Sequence, residues 1–397
     1  MTDLGTATGS TFATHALDTD LPHAHWFSYA HICPEIVYEH RHYADQIMFS
    51  LFKQEESYDS GIETWDETTA VQMIDFDDGS PHEVWDDTVE DDGGLVQGEE
   101  YATRQEIVRQ SVTIHYREPR VKPSTLAGLL GLALGSVSST QDSFHAGYRH
   151  KLTPVTAVAL PSIAAQISHM HASQFVYSGL KAQSCTLRNN GAYVELAAEL
   201  LGSGTRTALD QTFVGAVVEP WLRWGDCSIY LKDVRAAALS VPSTPVQGAS
   251  NLGTGAIDIS TRVRRLNLSY PNVLWGDGGY RPSTGVARGS LVGQRRQLTV
   301  ELEFQVSTAS EARDIGWYMH QTPLALEWQC HSTELIDADG SFYWGMTLLV
   351  PCLQWRSLGR DVEAEFDTLV FTGTVLSDRV NPIMQAWVYS AQAGYLL

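Results

Sequence analysis

The sequence predicts a mainly β fold built from a duplicated unit, in which each copy carries one helix. Runs of alternating apolar and polar residues are typical of strands that bury one face in a sheet. The pattern R-x-x-G-x-x-V-E occurs twice, at Arg188–Glu195 and at Arg356–Glu363. Before each occurrence, a strand pattern and a short helix pattern follow one another in the same order. A doubled β-rich unit without a catalytic motif favours a structural role over an enzyme.

We divide the 397 residues into an N-terminal arm and two β domains. The arm, residues 1–25, is rich in Thr, Ala and Asp. The first domain covers residues 26–220 with an acidic insertion at 54–100, and the second domain covers residues 221–397. A chain of this length can bury sizeable hydrophobic cores.

In the first domain, Val108–Tyr116 alternates as a half-buried strand does. A helix is predicted over Pro123–Gly135, because Pro suits the first helical turn and Gly suits the end. Residues 136–170 are predicted to be a loop. A hairpin is predicted next, with strands over Phe175–Arg188 and Ala192–Leu200, because Asn-Asn-Gly between them favours a tight turn.

The second domain is predicted to follow the same series. Ser228–Val234 and Ala256–Tyr270 have strand patterns. A further strand is predicted from four alternating apolar residues, Leu298, Val300, Leu302 and Phe304. A capping box from Thr308 to Glu311 then begins a helix that ends near His320. Leu348–Trp355 and Val362–Thr372 form the second predicted hairpin.

The net charge of −21 is concentrated in one segment. Residues 54–100 contain 17 Asp or Glu residues and no Lys or Arg. Such a segment repels nucleic acid, because affinity for a phosphate backbone requires cations. Apolar residues such as Trp65, Phe76 and Trp85 interrupt the carboxylates, so we expect a long loop or hairpin that becomes ordered against a partner.

No motif for catalysis is present, since the chain has no GxSxG, no GxxxxGKS/T and no HExxH. The five cysteines are scattered without a CxxC pair, which favours reduced thiols. We therefore predict a protein that is not an enzyme, with no catalytic residue, no cofactor and no metal site.

Three weaker patterns leave other classes of function open. The acidic turns Asp75–Gly79 and Asp337–Ser341 resemble calcium loops without the full ligand spacing, so a calcium-stabilised adhesin domain is one alternative. His169 and His171 could share one strand face, but no third ligand is evident nearby. Acids beside Trp65 and Trp85 suggest a carbohydrate-binding or carbohydrate-active protein as another alternative.

From about Ile107 onward, the order of elements resembles the major tail tube proteins of long-tailed (siphovirus-type) bacteriophages. Four segments carry the resemblance, and they are the strand and helix at 108–135, the strand at 177–187 with its Gly191 turn, the segment 263–272, and the segment 288–304 with the helix after it. The match is one of pattern and order rather than of a fingerprint motif. The acidic segment 54–100 departs from the simplest members of the family.

The resemblance implies β-sandwich or half-barrel units, each flanked by a helix, that assemble into rings. Six units close a ring, or three chains where the unit is doubled, and stacked rings form a tube that conducts DNA into the host. The implied partners are further copies of the chain and the tape measure, tail terminator and distal tail proteins. DNA would pass through the lumen without specific binding. The implied location is the tail of the virion, assembled in the host cytoplasm, and a distal tail or terminator protein is the nearest alternative.

Assembly in this manner requires residues that reach a neighbouring copy. We expect the acidic segment to contact the next ring, because its aromatic residues need a surface to bury against. The open edge of an antiparallel sheet is expected to pair with the next subunit. The candidate assembly residues are Trp65, Phe76, Trp85, Asp86, Asp87, Leu298, Val300, Leu302 and Phe304.

Overall fold

The computed structural model describes most of the chain after residue 46. The described residues are 47–55, 57–60, 71–73, 81–91, 105–143, 146–156, 159–169, 175–189, 191–208, 219–275, 280, 287–293, 296–306, 310–337, 342–362 and 367–395. The predicted N-terminal arm and the candidate residues Trp65 and Phe76 lie outside them.

The described residues form a mainly β structure, as predicted. Among the described residues, its α-helices are α1 (Pro123–Leu134) and α2 (Glu311–Met319), and a short 3-10 helix spans Trp224–Asp226. The strands are β1 Ile47–Gln54, β2 Val71–Met73, β3 His82–Trp85, β4 Thr88–Asp91, β5 Gln105–Arg109, β6 Val112–Glu118, β7 Gly135–Gln141, β8 Tyr148–Pro154, β9 Ile163–His169, β10 Phe175–Asn189, β11 Val194–Gly202, β12 Arg206–Ala208, β13 Cys227–Asp233, β14 Ile257–Asp258, β15 Val263–Pro271, β16 Leu274–Trp275, β17 Val292–Gly293, β18 Thr299–Gln305, β19 Leu324–Leu335, β20 Tyr343–Val362, β21 Asp367–Val375 and β22 Gln385–Ser390.

Eight strands form one continuous antiparallel run. Their order is β3, β6, β11, β10, β15, β18, β21 and β20. In the middle of this run, β10 pairs with β15 from Ser184 opposite Pro271 to Arg188 opposite Asn267. This ladder joins the two halves of the chain through backbone hydrogen bonds.

The long strands β10 and β20 each take part in a second group of strands. The N-terminal part of β10 pairs with β9 and β12, and β9 pairs with β1, which pairs with β2. The N-terminal part of β20 pairs with β19 and β22. Beyond these, β19 pairs with β13, which pairs with β14. On the other side, β22 pairs with β8, which pairs with β7. The hairpins β4–β5 and β16–β17 stand apart from this branched sheet.

Each long strand carries two register shifts at matching places. In β10, one shift lies between Tyr177 and Leu180 against β9, and the other between Ala182 and Ser184 against β11. In β20, the shifts fall between residues 350 and 353 against β19, and between 355 and 357 against β21. Each position in β20 is 173 residues after its counterpart in β10, as 350 is after 177. Shifts of this kind bend a strand, so both strands turn from one group into the other at equivalent points.

The hydrophobic core is continuous across the two halves. One cluster of buried side chains includes Leu129 of α1, Leu187 of β10 and Leu268 of β15. Every residue of α1 is buried, and the helix ends, as predicted, at Gly135 in the left-handed region with φ of 98°. The predicted domain boundary at residue 220 therefore does not divide the core, and it stays a prediction.

Three local predictions were wrong. Residues 136–170 are not a loop, because they contain β7, β8 and β9. The alternation of apolar and polar residues in these strands is weak, and they are strands because they pair with other strands: β7 with β8, β8 with β22 and β9 with β1. The second hairpin does not turn between residues 355 and 362, because β20 continues to Val362, which pairs with Asp367 of β21. The two R-x-x-G-x-x-V-E patterns are therefore not structurally equivalent. Gly191 lies in a turn with φ of 96°, whereas Gly359 lies within β20.

The acidic segment 54–100 is also corrected for its described residues. It contains β2, β3 and β4, and β3 is part of the eight-strand run. Glu55 is buried, and its carboxylate accepts a hydrogen bond from the backbone N–H of Gly179 at 3.1 Å. These parts are ordered by the chain itself and not by a partner. A contact with the next ring stays a prediction for the remainder of the segment.

The two glycines of the repeated pattern should respond differently to substitution. Gly191→Ala forces a side chain into a left-handed conformation and should lower the free energy of unfolding by about 1 kcal/mol. Gly359→Ala is the matched control, since its Cβ would meet nothing closer than Val370 at 3.9 Å, and it should change stability by less than about 0.5 kcal/mol. Urea unfolding measures both variants. Equal losses would contradict the assignment of only one of these glycines to a turn.

Candidate functional site

The strongest candidate site is the pair of strands that end the eight-strand run. Within the part of the chain that the structure describes, β3 pairs only with β6, and residues 354–362 of β20 pair only with β21. Each strand therefore leaves one row of backbone N–H and C=O groups without a partner strand in the described sheet. Such rows bind a further strand readily.

At the β20 end, exposed side chains follow one another along the strand. Arg356, Ser357, Gly359 and Arg360 are exposed, and Leu358 is half-buried. The Arg360 guanidinium donates hydrogen bonds to the carboxylate of Asp367 and lies 3.5 Å from that of Glu311 in α2. The hydrogen bond from Arg360 lowers the pKa of Asp367. This edge thus combines a fixed cation with one apolar side chain.

At the β3 end, two large apolar side chains are exposed. Val84 is 40% exposed and Trp85 is 47% exposed. The indole of Trp85 lies under the guanidinium of Arg206 at 4.1 Å, meets the ring of Phe175 edge-on at 5.7 Å, and donates a hydrogen bond to the hydroxyl of Tyr177 at 3.3 Å. These contacts hold one face of the indole in a fixed position while the rest of the ring meets solvent.

The structure brings the predicted residues Trp85, Asp86 and Asp87 together beside the β3 edge. Asp87 accepts a hydrogen bond from Arg206 at 2.8 Å, so this carboxylate fixes the cation that covers Trp85. Asp86 contributes its backbone, which exchanges hydrogen bonds with Ser111. The sequence identified this cluster by its aromatic and acidic composition. It missed Arg206, since no local pattern connects residues so far apart in the chain.

The other predicted assembly residues are placed differently. The side chains of Leu298, Val300, Leu302 and Phe304 are all buried in the core of the chain itself. A second chain could not reach them without unfolding the first. Their alternation correctly predicted β18, but we do not retain these side chains as contacts between copies.

The solvent-facing side of the eight-strand run is polar, and three of its arginines lie against carboxylates. Arg117 and Arg188 both donate hydrogen bonds to Glu195, at 2.8 Å and 2.5 Å. Arg265 lies 3.9 Å from Glu301. Burial alone would raise the pKa of Glu195, but the two arginines lower it. Sequence analysis missed this centre, although Arg188 and Glu195 are the first and last residues of the pattern in the first half.

A buried polar network ties the end of the chain to the start of α1. The carboxylate of Glu219 accepts hydrogen bonds from the backbone N–H and the hydroxyl of Ser124, and the hydroxyl of Tyr395 reaches Ser124 and Ser390. Burial raises the pKa of Glu219 to about 7, and burial lowers the pKa of His150, next to Ser390, to about 3. Both groups are used inside the fold, so we assign this network to stability and not to chemistry on a ligand.

The candidate ion sites gain no support from the described residues. Asp337 accepts a hydrogen bond from the backbone N–H of Ala146 at 3.1 Å, as a turn residue would. Asp75–Gly79, residues 338–341 and His171 lie outside the described part of the chain. Among the described residues, no group of three His, Cys, Asp or Glu side chains could hold a metal ion.

Comparison with known proteins leaves the geometry as the basis for assigning function. No family model matches the chain, and no curated protein matches it. None of the helices within the described residues has the length and apolar character needed to cross a membrane.

Replacing Glu219 should change how stability depends on pH. The pKa of this carboxyl is about 7 in the folded state and near its usual 4.5 in the unfolded state, so folding retains a proton between these values. Stability should therefore fall as pH rises from 4.5 to 7, by up to about 3 kcal/mol. Glu219→Gln keeps an acceptor for Ser124 and removes this loss. Urea unfolding at several pH values should show the free energy of unfolding of the variant increasing relative to that of the natural chain as pH rises. If the free energies of unfolding of the two proteins changed in parallel with pH, a buried neutral Glu219 would be contradicted.

Proposed function

We propose that this chain is a structural, self-assembling subunit of the tail tube of a long-tailed bacteriophage. In this proposal, copies pair edge to edge into a ring, rings stack into a tube, and DNA passes through the lumen without specific binding. The observation that carries the proposal is the eight-strand run, each end of which lacks a further strand among the described residues. The earlier resemblance to major tail tube proteins supplies the class.

A duplicated unit is supported by the strand order. The first four strands of the run are β3, β6, β11 and β10, and the last four are β15, β18, β21 and β20. In each set the second strand precedes a helix, and the last two strands are a hairpin. The strands outside the two sets are also paired in an equivalent way. In the first half β1 pairs with β2 and β9, and in the second half β13 pairs with β14 and β19. The proposed copies differ by the extra hairpin β7–β8 in the first.

The hairpin ladders give independent support. Two register shifts and the closing pair of the hairpin recur at a constant spacing of 173 residues, as Asn189 opposite Val194 corresponds to Val362 opposite Asp367. Each hairpin also carries an arginine that binds an acid seven residues later, Arg188 with Glu195 and Arg360 with Asp367. Unrelated strands would not be expected to share both shifts and the turn length.

Ring closure is supported by two arguments: the edge strands of the described run can each pair with a further strand, and the barrel that results would be wide enough for DNA. An edge strand that pairs with the opposite edge of the next copy makes a head-to-tail contact, which closes only by rotation. Three chains would supply 24 strands. With strands about 4.8 Å apart, the girth is at least about 115 Å and the backbone diameter at least about 37 Å, because strand tilt widens a barrel; both exceed the width of a DNA duplex.

The polar side of the run suits the lining of such a tube. A cationic lining would bind phosphates by releasing counterions and would hold the DNA. Arg117 and Arg188 instead share the carboxylate of Glu195, and Arg265 lies beside Glu301, so carboxylates offset much of the positive charge of these three arginines. In the proposal, this face lines the lumen and the opposite face carries the core and the helices.

Electron microscopy of the purified chain in negative stain tests the proposal directly. We expect rings whose central channel fits within a strand barrel about 37 Å or more across, and stacks of rings at high protein concentration. Single rings that never stack would favour a distal tail or terminator protein instead. Monomers at every concentration, with the chain folded by circular dichroism, would contradict self-assembly.

Freeing the arginines of the sheet face should make assembled particles bind DNA. Glu195→Gln removes the shared partner of Arg117 and Arg188, so the affinity for a short DNA duplex should rise, with a log–log salt slope steeper by about 2. Asp233→Asn is the matched control, since it frees Arg235 at a place outside the eight-strand run. Filter binding with assembled particles measures both. Equal DNA binding by the two variants would contradict a lumen formed by this face.

A further inference from the structure

We propose that β20 of one copy pairs antiparallel with β3 of the next copy, in the register that β10 and β15 use within the chain. The contact places Leu358 opposite Trp85, Gly359 opposite Val84 and Arg360 opposite Glu83. This inference deepens the proposed function and rests on it, because it names the two edges that close the ring. The partner is a second copy of this chain.

The junction between β10 and β15 is the template for this contact. By the ladder positions, β10 corresponds to β20, and β15 corresponds to β3, because β15 pairs with β18 as β3 pairs with β6. Within the chain, the edge of β10 beyond β11 is covered by β15. The corresponding edge of β20, beyond β21, has no covering strand among the described residues. The same holds for the edge of β3 that lies beyond β6.

The register follows from pairs that the structure contains. Cys185 lies opposite Tyr270, and Thr186 lies opposite Ser269. Residue 185 of β10 corresponds to residue 358 of β20, because equivalent positions in these strands are 173 residues apart. Residue 270 of β15 corresponds to residue 85 of β3. The reason is that Ser269 lies opposite Thr299 in the β15–β18 ladder as Val84 lies opposite Thr113 in the β3–β6 ladder. Leu358 and Trp85 then meet on the side that faces the core. Because strand side chains alternate, Gly359 and Val84 meet on the opposite side, as pairing requires.

The side chains at the two edges complement one another. Tyr270 is fully buried at the internal junction, whereas its counterpart Trp85 is 47% exposed in a single chain. Pairing would cover Trp85 with Leu358, an apolar contact of the kind that stabilises neighbouring strands. Arg360 would approach Glu83, so opposite charges would lie across the contact. Gly359 leaves room for Val84, since even a Cβ added at Gly359 would meet nothing closer than Val370 at 3.9 Å.

Disulfide formation at chosen positions tests both the edges and the register. Val84→Cys with Gly359→Cys in one chain places thiols opposite each other only between copies, because the two edges lie at opposite ends of the run. Val84→Cys with Ser357→Cys is the matched control. It shifts the register by two residues and puts the Cα atoms about 7 Å or more apart, beyond disulfide reach. Each purified, assembled variant is oxidised mildly and analysed by gel electrophoresis without reductant, beside the natural chain.

We expect covalent species of two and three chains from the first pair and little from the control pair or the natural chain. Of the described cysteines, Cys185, Cys330 and Cys352 are buried and Cys227 is half-buried. Any cross-link through a native cysteine would appear equally in the control pair and the natural chain. Rings in negative stain that fail to cross-link through the first pair, or that cross-link better through the control pair, would overturn this inference and leave the proposed function standing. Folded monomers without rings would overturn the proposed function and this contact together.

Discussion

The ladder between β10 and β15 is the contact on which the rest of the fold depends. It converts two four-strand sets into one sheet, and it satisfies the edge of each set with the backbone of the other. Backbone N–H and C=O groups need partners, and an antiparallel set always has two outer edges. Joining two sets therefore leaves two edges within the described sheet, at β3 and at β20. The self-assembly that we propose rests on that geometry.

The register shifts in β10 and β20 decide how the core is shared. Each shift bends a long strand, so that its two parts belong to different groups of strands. The core is consequently continuous, with α1 buried on every side and α2 held by the ion pair of Asp314 with Arg262. A continuous core makes the two halves one stable body. This suits the proposed subunit, whose two edge strands must be held in fixed positions to pair with neighbouring copies.

The arrangement of charge fits the same proposal. Most described arginines on the run lie against carboxylates, as Glu195 shows with Arg117 and Arg188. The acidity of the chain is concentrated in a segment that contributes β3 to the edge of the sheet. Groups buried away from solvent, such as Glu219 and His150, have pKa values shifted toward their neutral forms by burial. Within the described run, the arginines 117, 188, 265 and 360 thus lie against carboxylates, as a surface that does not retain phosphate would require in the proposed tube.

The sequence by itself determined the local elements. Alternation predicted β18, Asn-Asn-Gly predicted the turn at Gly191, and Pro123 with Gly135 predicted α1, because each signal lies within a few residues of the structure it specifies. Tertiary structure decided which strands meet. The β7–β9 region, the cover of Trp85 by Arg206 and the β10–β15 ladder all depend on partners distant in the chain. Local patterns carry no information about such partners, because strand register is set by packing across the whole sheet.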